Sequence, residues 1–363
     1  MEQQWRETLY YYVDECNRCR VDPAAEPCRS ALADPGELME RGRRSRLLAD
    51  WYAERGIAPV RGETGVRVLR WSRQTPGEVL AEVELHSVFY YEKGGMRHQE
   101  ERLERERLTL VSEDGGWRIA GVERYLPERK PLRRTPAADW RGPSGAGLTE
   151  PAEAAAAAVA NANGSRPAYG EETGAALSPP LLNRRLLGGG GGPRATAYRR
   201  EEAAAYADRW WKEGNPDFET FEVDCTNYVS QCLFAGGAPI NYTGKRETGW
   251  WYKGYTGGRE WWSYSWAVSD SLGRYLAGDG SGGPRAELVE RPEQLALGDI
   301  ILYDWDGNGH FQHSTVVTAF DAGGMPLVNA HTVSSRHRYW DYRDSYAWTD
   351  RTAYRFFHIN DYL

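Results

Sequence analysis

Val223 to Ile240 reads VDCTNYVSQCLFAGGAPI. An acidic residue is followed by a cysteine, then by a helical pattern, then by two glycines. Asp224 is a preferred N-cap residue, and its carboxylate is expected to accept from the backbone N–H of Thr226 or Asn227. Gly236 and Gly237 supply the stop. Between them Cys225, Val229, Cys232 and Leu233 fall at i, i+4, i+7 and i+8, so they share one apolar face. Cys225 stands at the positive end of the helix dipole, where free N–H groups favour a thiolate and can hold an oxyanion. Cys232 is two turns on, about 10 Å along the axis, too far for a disulfide. It is the better candidate for a plain core thiol. A lone cysteine on an apolar helix face is commonly core as well, so Cys225 needs partners before it is a nucleophile.

A cysteine nucleophile requires a base, usually histidine, and a polar group that orients it. Five of the seven histidines lie beyond position 309: His310, His313, His331, His337 and His358. His313 opens HSTVVTAF, a strand pattern in which His313, Thr315, Val317 and Ala319 share a face. FDAGGMP reads as a hairpin loop, and PLVNAHT as the returning strand, with Leu327, Asn329 and His331 on one face. The hairpin brings the His331 end opposite the start of HSTVVTAF. If the Cys225 helix packs on the face that carries His313, a cysteine, a histidine and a polar orienting group meet.

Outward from this stretch, composition divides the 363 residues into three parts. Residues 1–125 open with helical patterns (Trp5, Leu9, Tyr12, Val13; then Leu38, Leu47, Leu48, Trp51, Tyr52). Strands follow. In GEVLAEVELHSVFYY, Val79, Ala81, Val83 and Leu85 alternate with Leu80, Glu82, Glu84 and His86. RLTLVSEDGGWRIAGVERY is a hairpin turning at Asp114-Gly115-Gly116. This order predicts a small α+β domain and resembles the NTF2-like and cystatin-like folds. Residues 126–193 hold PAEAAAAAVANANGS, a proline pair and five consecutive glycines. That composition buries too little apolar surface to fold, so it is read as a linker. Residues 194–363 form the second domain, predicted as a cysteine-bearing helix packed on an antiparallel sheet.

Bulk properties exclude several classes. The formal net charge is −7, which gives no electrostatic footprint for nucleic acid. No apolar run of membrane-spanning length occurs, and MEQQWRETLYYYVDECNRCR does not read as a signal peptide, so a cytoplasmic protein is expected. Five cysteines without a leader argue against a disulfide framework. Cys16 and Cys19 form a C-x-x-C with Cys28 near, but no histidine completes a zinc set. Asp304, Asp306 and Asn308 alternate like a calcium loop, yet the twelfth position is Thr315 and not glutamate. No metal or other cofactor is therefore called for.

Aromatic residues are abundant: 15 Trp and 22 Tyr. Glu247 to Trp266, ETGWWYKGYTGGREWWSYSW, packs five Trp and three Tyr into 20 residues. Trp250, Trp251, Trp261 and Trp262 suit the wall of a substrate groove, because aromatic faces stack on sugars. The plainer reading is an insertion that closes a core of its own.

The stretch from Tyr198 to about His331 resembles the putative amidase domain family of Gram-positive bacteria. AYRREEAAAYADRWW, NPDF, DCTNYVSQ with the following AGG, the Trp-rich block, GDIILYDW, HSTVVT and AHT carry the resemblance. DCTNYVSQ is its specific part. The family is similar to papain-like amidases of the NlpC/P60 and CHAP kinds, which cleave amide bonds in cell-wall peptides. The resemblance implies Cys225 as nucleophile and His313 as general base, with Asn329 or His331 in the third place. Asp224 and Asn227 belong to the same signature and are candidate substrate contacts. The implied activity is hydrolysis of a peptidoglycan or similar short-peptide amide through a thioester. Export of a wall-directed enzyme would conflict with the missing leader, which a spore-associated role would reconcile. The competing reading is a non-catalytic glycan- or peptide-binding module that uses the Trp-rich groove. The partner of the N-terminal domain is not legible.

Overall fold

The computed structural model describes residues 2–22, 25, 29–113, 115–127, 197–256, 259–278 and 282–363. The linker call at 126–193 lies almost wholly outside the described residues, as does Cys28. Helices and mostly antiparallel strands make this a mixed α and β protein. It divides into two compact units.

The first unit holds the described residues up to Leu126, with Phe320–Met325 and Val333–Arg338. Helix α1 (Glu2–Val21) and helix α2 (Pro35–Arg55) come first. Asp34 caps α2 by accepting from Gly36 N at 2.8 Å, and proline fills the first helical position. Strands β1 (Ala58–Thr75), β2 (Glu78–Lys93), β3 (Met96–Glu113) and β4 (Gly116–Arg124) follow as an antiparallel meander. Gly94 and Gly95, both at positive φ, make the two-residue turn between Lys93 and Met96. The period-2 pattern of β2 is realised. Val79, Ala81, Val83 and Leu85 are buried against Trp5, Leu9, Tyr12 and Val13 of α1. Within the same unit β3 also pairs with Ser335 and Arg336, and Lys93 bonds Asp321 at 2.7 Å.

The interior of this unit is charged in two places that the sequence pattern does not signal. Arg41 bonds Glu37, the Tyr12 hydroxyl and Cys16 Sγ, and Arg124 reaches Glu37 as well. Farther along β3, the buried Glu100 pairs with Arg102 and Arg20. Burial by itself would raise the Glu100 carboxyl, but the fields of Arg102, Arg20 and Arg338 outweigh it and hold it below the ordinary range.

The second unit holds the described residues from 197 to 319, with Pro326–Thr332 and Tyr339–Leu363. Its helices are α3 (Arg200–Trp210), α4 (Cys225–Ala235), the single turn α5 (Tyr264–Ala267) and α6 (Ser269–Leu276). A hairpin, β5 (Tyr252–Thr256) and β6 (Arg259–Trp262), stands apart from the main sheet. The sheet strands are β7 (Ala286–Val289), β8 (Ile300–Asp304), β9 (His313–Phe320), β10 (Pro326–Ala330) and β12 (Ala353–Ile359); of β11 (Ser335–Tyr339), the residues up to Arg338 belong to the first unit. Their order is β10-β9-β8-β12-β7. No helix among the described residues is long and apolar enough to cross a membrane.

Helix α4 lies at the centre of this unit. The expected apolar face is present, but residues 225–233 are buried on every side, Thr226, Asn227, Ser230 and Gln231 included. Val229, Cys232 and Leu233 pack on Ile300, Leu302 and Val316 of the sheet. Buried polar groups must find partners, and the tryptophans supply two of them. Trp250 Nε1 donates to Ser230 Oγ at 3.0 Å, and Trp266 Nε1 donates to Asn227 Oδ1 at 2.8 Å. The helix ends at the two glycines as expected. Gly237 takes φ 96°, and a methyl on Gly236 would collide with the Tyr198 ring.

Candidate active site

The first turn of α4 meets the first residues of β9. Cys225 Sγ lies 3.9 Å from the carbonyl oxygen of Gln312, the residue before His313. One step on, Thr226 Oγ1 is 3.1 Å from Ser314 Oγ, which in turn donates to Ser269 Oγ at 2.9 Å. So Cys225-Thr226 faces the 312–314 segment. Cys225 and His313 are both buried. No comparable setting surrounds Cys232. It sits inside the apolar core, and burial pushes its thiol well above the ordinary range.

Strand alternation assigns the faces of the sheet. Ser314 and Val316 point to α4 and α6. His313 and Thr315 therefore point the other way. The His313 ring lies among three aromatic rings: Tyr342, Tyr303 and Trp305, at centroid distances of 5.3, 5.5 and 5.7 Å. Tyr303 is its cross-strand partner, and the Tyr303 hydroxyl bonds Thr315 and the Trp340 carbonyl. Trp305 and Tyr303 come from GDIILYDW and Tyr342 from the chain after β11, and none of them stood out in the sequence as a histidine cage.

This corrects the expected meeting of faces. Asn329 and His331 do share a face, but it is the helix face, opposite His313. Asn329 Nδ2 donates to Asp208 Oδ1 of α3 at 2.9 Å, and Asn329 Oδ1 accepts from Thr318 at 2.8 Å. His331 Nδ1 lies 2.7 Å from Asp224 Oδ2, its Nε2 donates to the Trp210 carbonyl at 2.6 Å, and its ring stacks on Tyr228 at 4.0 Å. Both side chains are occupied in joining the helices to β10.

The capping expectation for Asp224 is corrected too. The residue is helical (φ −109°, ψ 0°), and its side chain caps no helical amide. Oδ1 accepts instead from Phe221 N and Asn227 Nδ2, while Oδ2 holds His331. The amides of Asp224 and Cys225 both donate to Thr332 Oγ1, at 2.9 and 3.0 Å. Thr332 passed unremarked in the AHT segment because a threonine after a strand carries no signal of its own.

The candidate substrate contacts are placed as follows. Asn227 is fully buried, with its amide bonded to the Glu219 carbonyl, Asp224 and Trp266. Trp250, Trp251 and Trp262 are buried, and Trp250 and Trp262 belong to the main core. Trp261 keeps partial exposure, with Arg246 near its ring. The plainer reading of the aromatic block holds for Trp250 and Trp262, whose rings join the core shared with α4 and the sheet, while Trp251 packs on Tyr242 and donates to the Thr248 carbonyl. At Asp304 the carboxylate accepts from Asp306 N and Gly309 N, so it closes its own turn. Among the described residues no three metal-ligating side chains cluster.

Comparison with known proteins places this unit in a class. Residues 197–357 match the family model described as "Putative amidase domain". An uncharacterized protein of Bacillus subtilis (strain 168), YhbB, is 48% identical over 159 residues, 44% of this chain and 49% of that protein. The chain thus spans about half the length of the curated relative it matches. The crystal structure of the intermembrane-space region of the chloroplast protein ARC6 aligns at 14% identity over 32% of this chain and 94% of that one, with a TM-score of 0.20, too low to relate the folds.

Proposed function

We propose that the second unit is a cysteine amidase with a papain-like arrangement, in which Cys225 is the nucleophile and His313 the general base. The observation that carries the reading is the seat of Cys225. It stands in the first turn of a buried helix, with its sulfur against the residue preceding His313. His313 takes the thiol proton, and the sulfur attacks the amide carbonyl carbon. The tetrahedral intermediate collapses as His313 returns the proton to the leaving nitrogen, breaking the C–N bond and leaving a thioester. Water, deprotonated by His313, then adds to the thioester carbon, and the carboxylic acid departs as the thiol re-forms. The rings of Tyr303, Trp305 and Tyr342 pack around the imidazole. The likeness of DCTNYVSQ to wall-directed amidases supports a short peptide of the peptidoglycan type as substrate.

The test is digestion of purified muropeptides by the full chain, followed by mass spectrometry. Cleavage adds one water and yields a new amine and a new carboxylate. The reading requires this product with the unaltered protein and none with Cys225→Ala. Equal products from both proteins, or no product from any peptide, overturns it.

A further inference from the structure

Three non-glycine residues among those described have positive φ: Thr332 at 83°, Tyr342 at 56° and His337 at 52°. Thr332 is the one that touches the start of α4. A β-branched residue is strained in this region because its Cβ crowds the backbone, and such strain persists only where the surroundings enforce it. Here the surroundings are explicit. The preceding residue, His331, is held at both ring nitrogens by Asp224 and the Trp210 carbonyl. The left-handed turn then brings the Thr332 hydroxyl to the point where the amides of Asp224 and Cys225 converge.

The need for that hydroxyl follows from the helix itself. Leading amides of a buried helix must find acceptors outside the helix. The residue in the N-cap place is unavailable, because its carboxylate is turned to Phe221, Asn227 and His331. The acceptor is supplied from 107 residues away in the chain. One of the two amides it fixes belongs to the cysteine, whose Cα and Sγ follow that nitrogen.

We propose that Thr332 is a positioning residue for the Cys225 thiol: its strained backbone delivers a hydroxyl that caps α4 in place of Asp224 and fixes where the sulfur sits. This rests on the cysteine-amidase reading of the same site. Threonine to serine keeps the acceptor, threonine to valine keeps the shape without it, and threonine to glycine removes both the hydroxyl and the strain.

The experiment uses the full chain and the variants Thr332→Ser, Thr332→Val and Thr332→Gly. Two quantities are measured: the rate of Cys225 alkylation by iodoacetamide from pH 5 to 9, by peptide mass mapping, and the hydrogen-exchange rates of the Asp224 and Cys225 amides, by NMR. The serine variant is expected to stay within about threefold of the unaltered chain in both. The valine and glycine variants are expected to slow alkylation at pH 7 and to speed exchange at those two amides by about tenfold, the factor carried by one hydrogen bond of ordinary strength. Amides of β8 should be unmoved, which separates local loss of the cap from general unfolding. Valine equal to the unaltered chain, or faster alkylation with valine, overturns the proposal. So does a serine variant as slow as valine, or a glycine variant that recovers the full rate, since backbone shape and not the hydroxyl would then matter. If Cys225 of the unaltered chain reacts no faster than Cys232, the amidase reading falls. The exchange rates, which need no nucleophile, then decide the cap alone.

Discussion

His313 and His331 occupy opposite faces of one sheet, and their surroundings differ in kind. His331 is pinned by a carboxylate, a carbonyl and a tyrosine ring, all within hydrogen-bonding or stacking distance. His313 is surrounded by aromatic rings at more than 5 Å, beside the residue whose carbonyl meets the Cys225 sulfur. A side chain whose polar atoms are all committed to neutral and anionic acceptors is suited to hold a structure together. The His313 ring packs among aromatic side chains, one residue along from the carbonyl that meets the Cys225 sulfur, which is the setting the proposed base occupies. The contrast teaches that two candidate histidines on neighbouring strands divide by the face of the strand they take.

The largest expected effect sharpens the site before the histidines are compared. Cys225→Ala should lower the rate of amide hydrolysis by about 10³-fold or more, because the covalent route is lost altogether. Muropeptide turnover measures it, and retained turnover would move the chemistry elsewhere. His313→Ala is next: kcat should fall by about 10²–10⁴-fold, the range for removal of a general base. His331→Ala tests the other side of the comparison. It breaks a buried pair and should lower unfolding stability by about 3–5 kcal/mol, read from denaturant midpoints. If His331→Ala instead abolishes turnover with an unchanged midpoint, the two assignments are reversed.

A similar loss is expected in the first unit. Glu100→Gln leaves the buried Arg102 and the partly buried Arg20 without that carboxylate and should destabilise that unit by about 3–5 kcal/mol. The Glu100 carboxyl lies below its ordinary value of 4.5 in the folded state. Its contribution is therefore complete above about pH 4.5 and is lost as the pH falls through the depressed native value. In the variant this part of the acid dependence should disappear from unfolding curves. The smallest effect compares two thiols of one helix. Because burial raises the Cys232 thiol, it should remain unlabelled by iodoacetamide up to about pH 9, while Cys225 reacts.

Much of the fold was legible, and for local reasons. The β2 pattern announced its buried side, the first helix announced Trp5, Leu9, Tyr12 and Val13, and Gly236-Gly237 announced the end of α4, since periodicity and φ > 0 are properties of neighbouring residues. The tryptophan block was legible as aromatic but not as core. Only packing shows that Trp250 and Trp266 place their indole N–H groups on the polar side of α4. The buried arginines of the first unit were illegible because a charged residue on a strand reads as solvated until its partner is known.

By itself the sequence determined the start of α4 at Cys225, the alternation that sets His313 against Ser314, and the shared face of Asn329 and His331. Each follows from covalent geometry and a fixed repeat along the chain. The tertiary structure alone decided which sheet face the helix covers, that Asp224 turns away from its own helix, and that Thr332 supplies the missing acceptor. Those choices depend on which buried donors and acceptors can all be satisfied at once, and residues such as Cys225 and Thr332, far apart in the chain, meet only after folding.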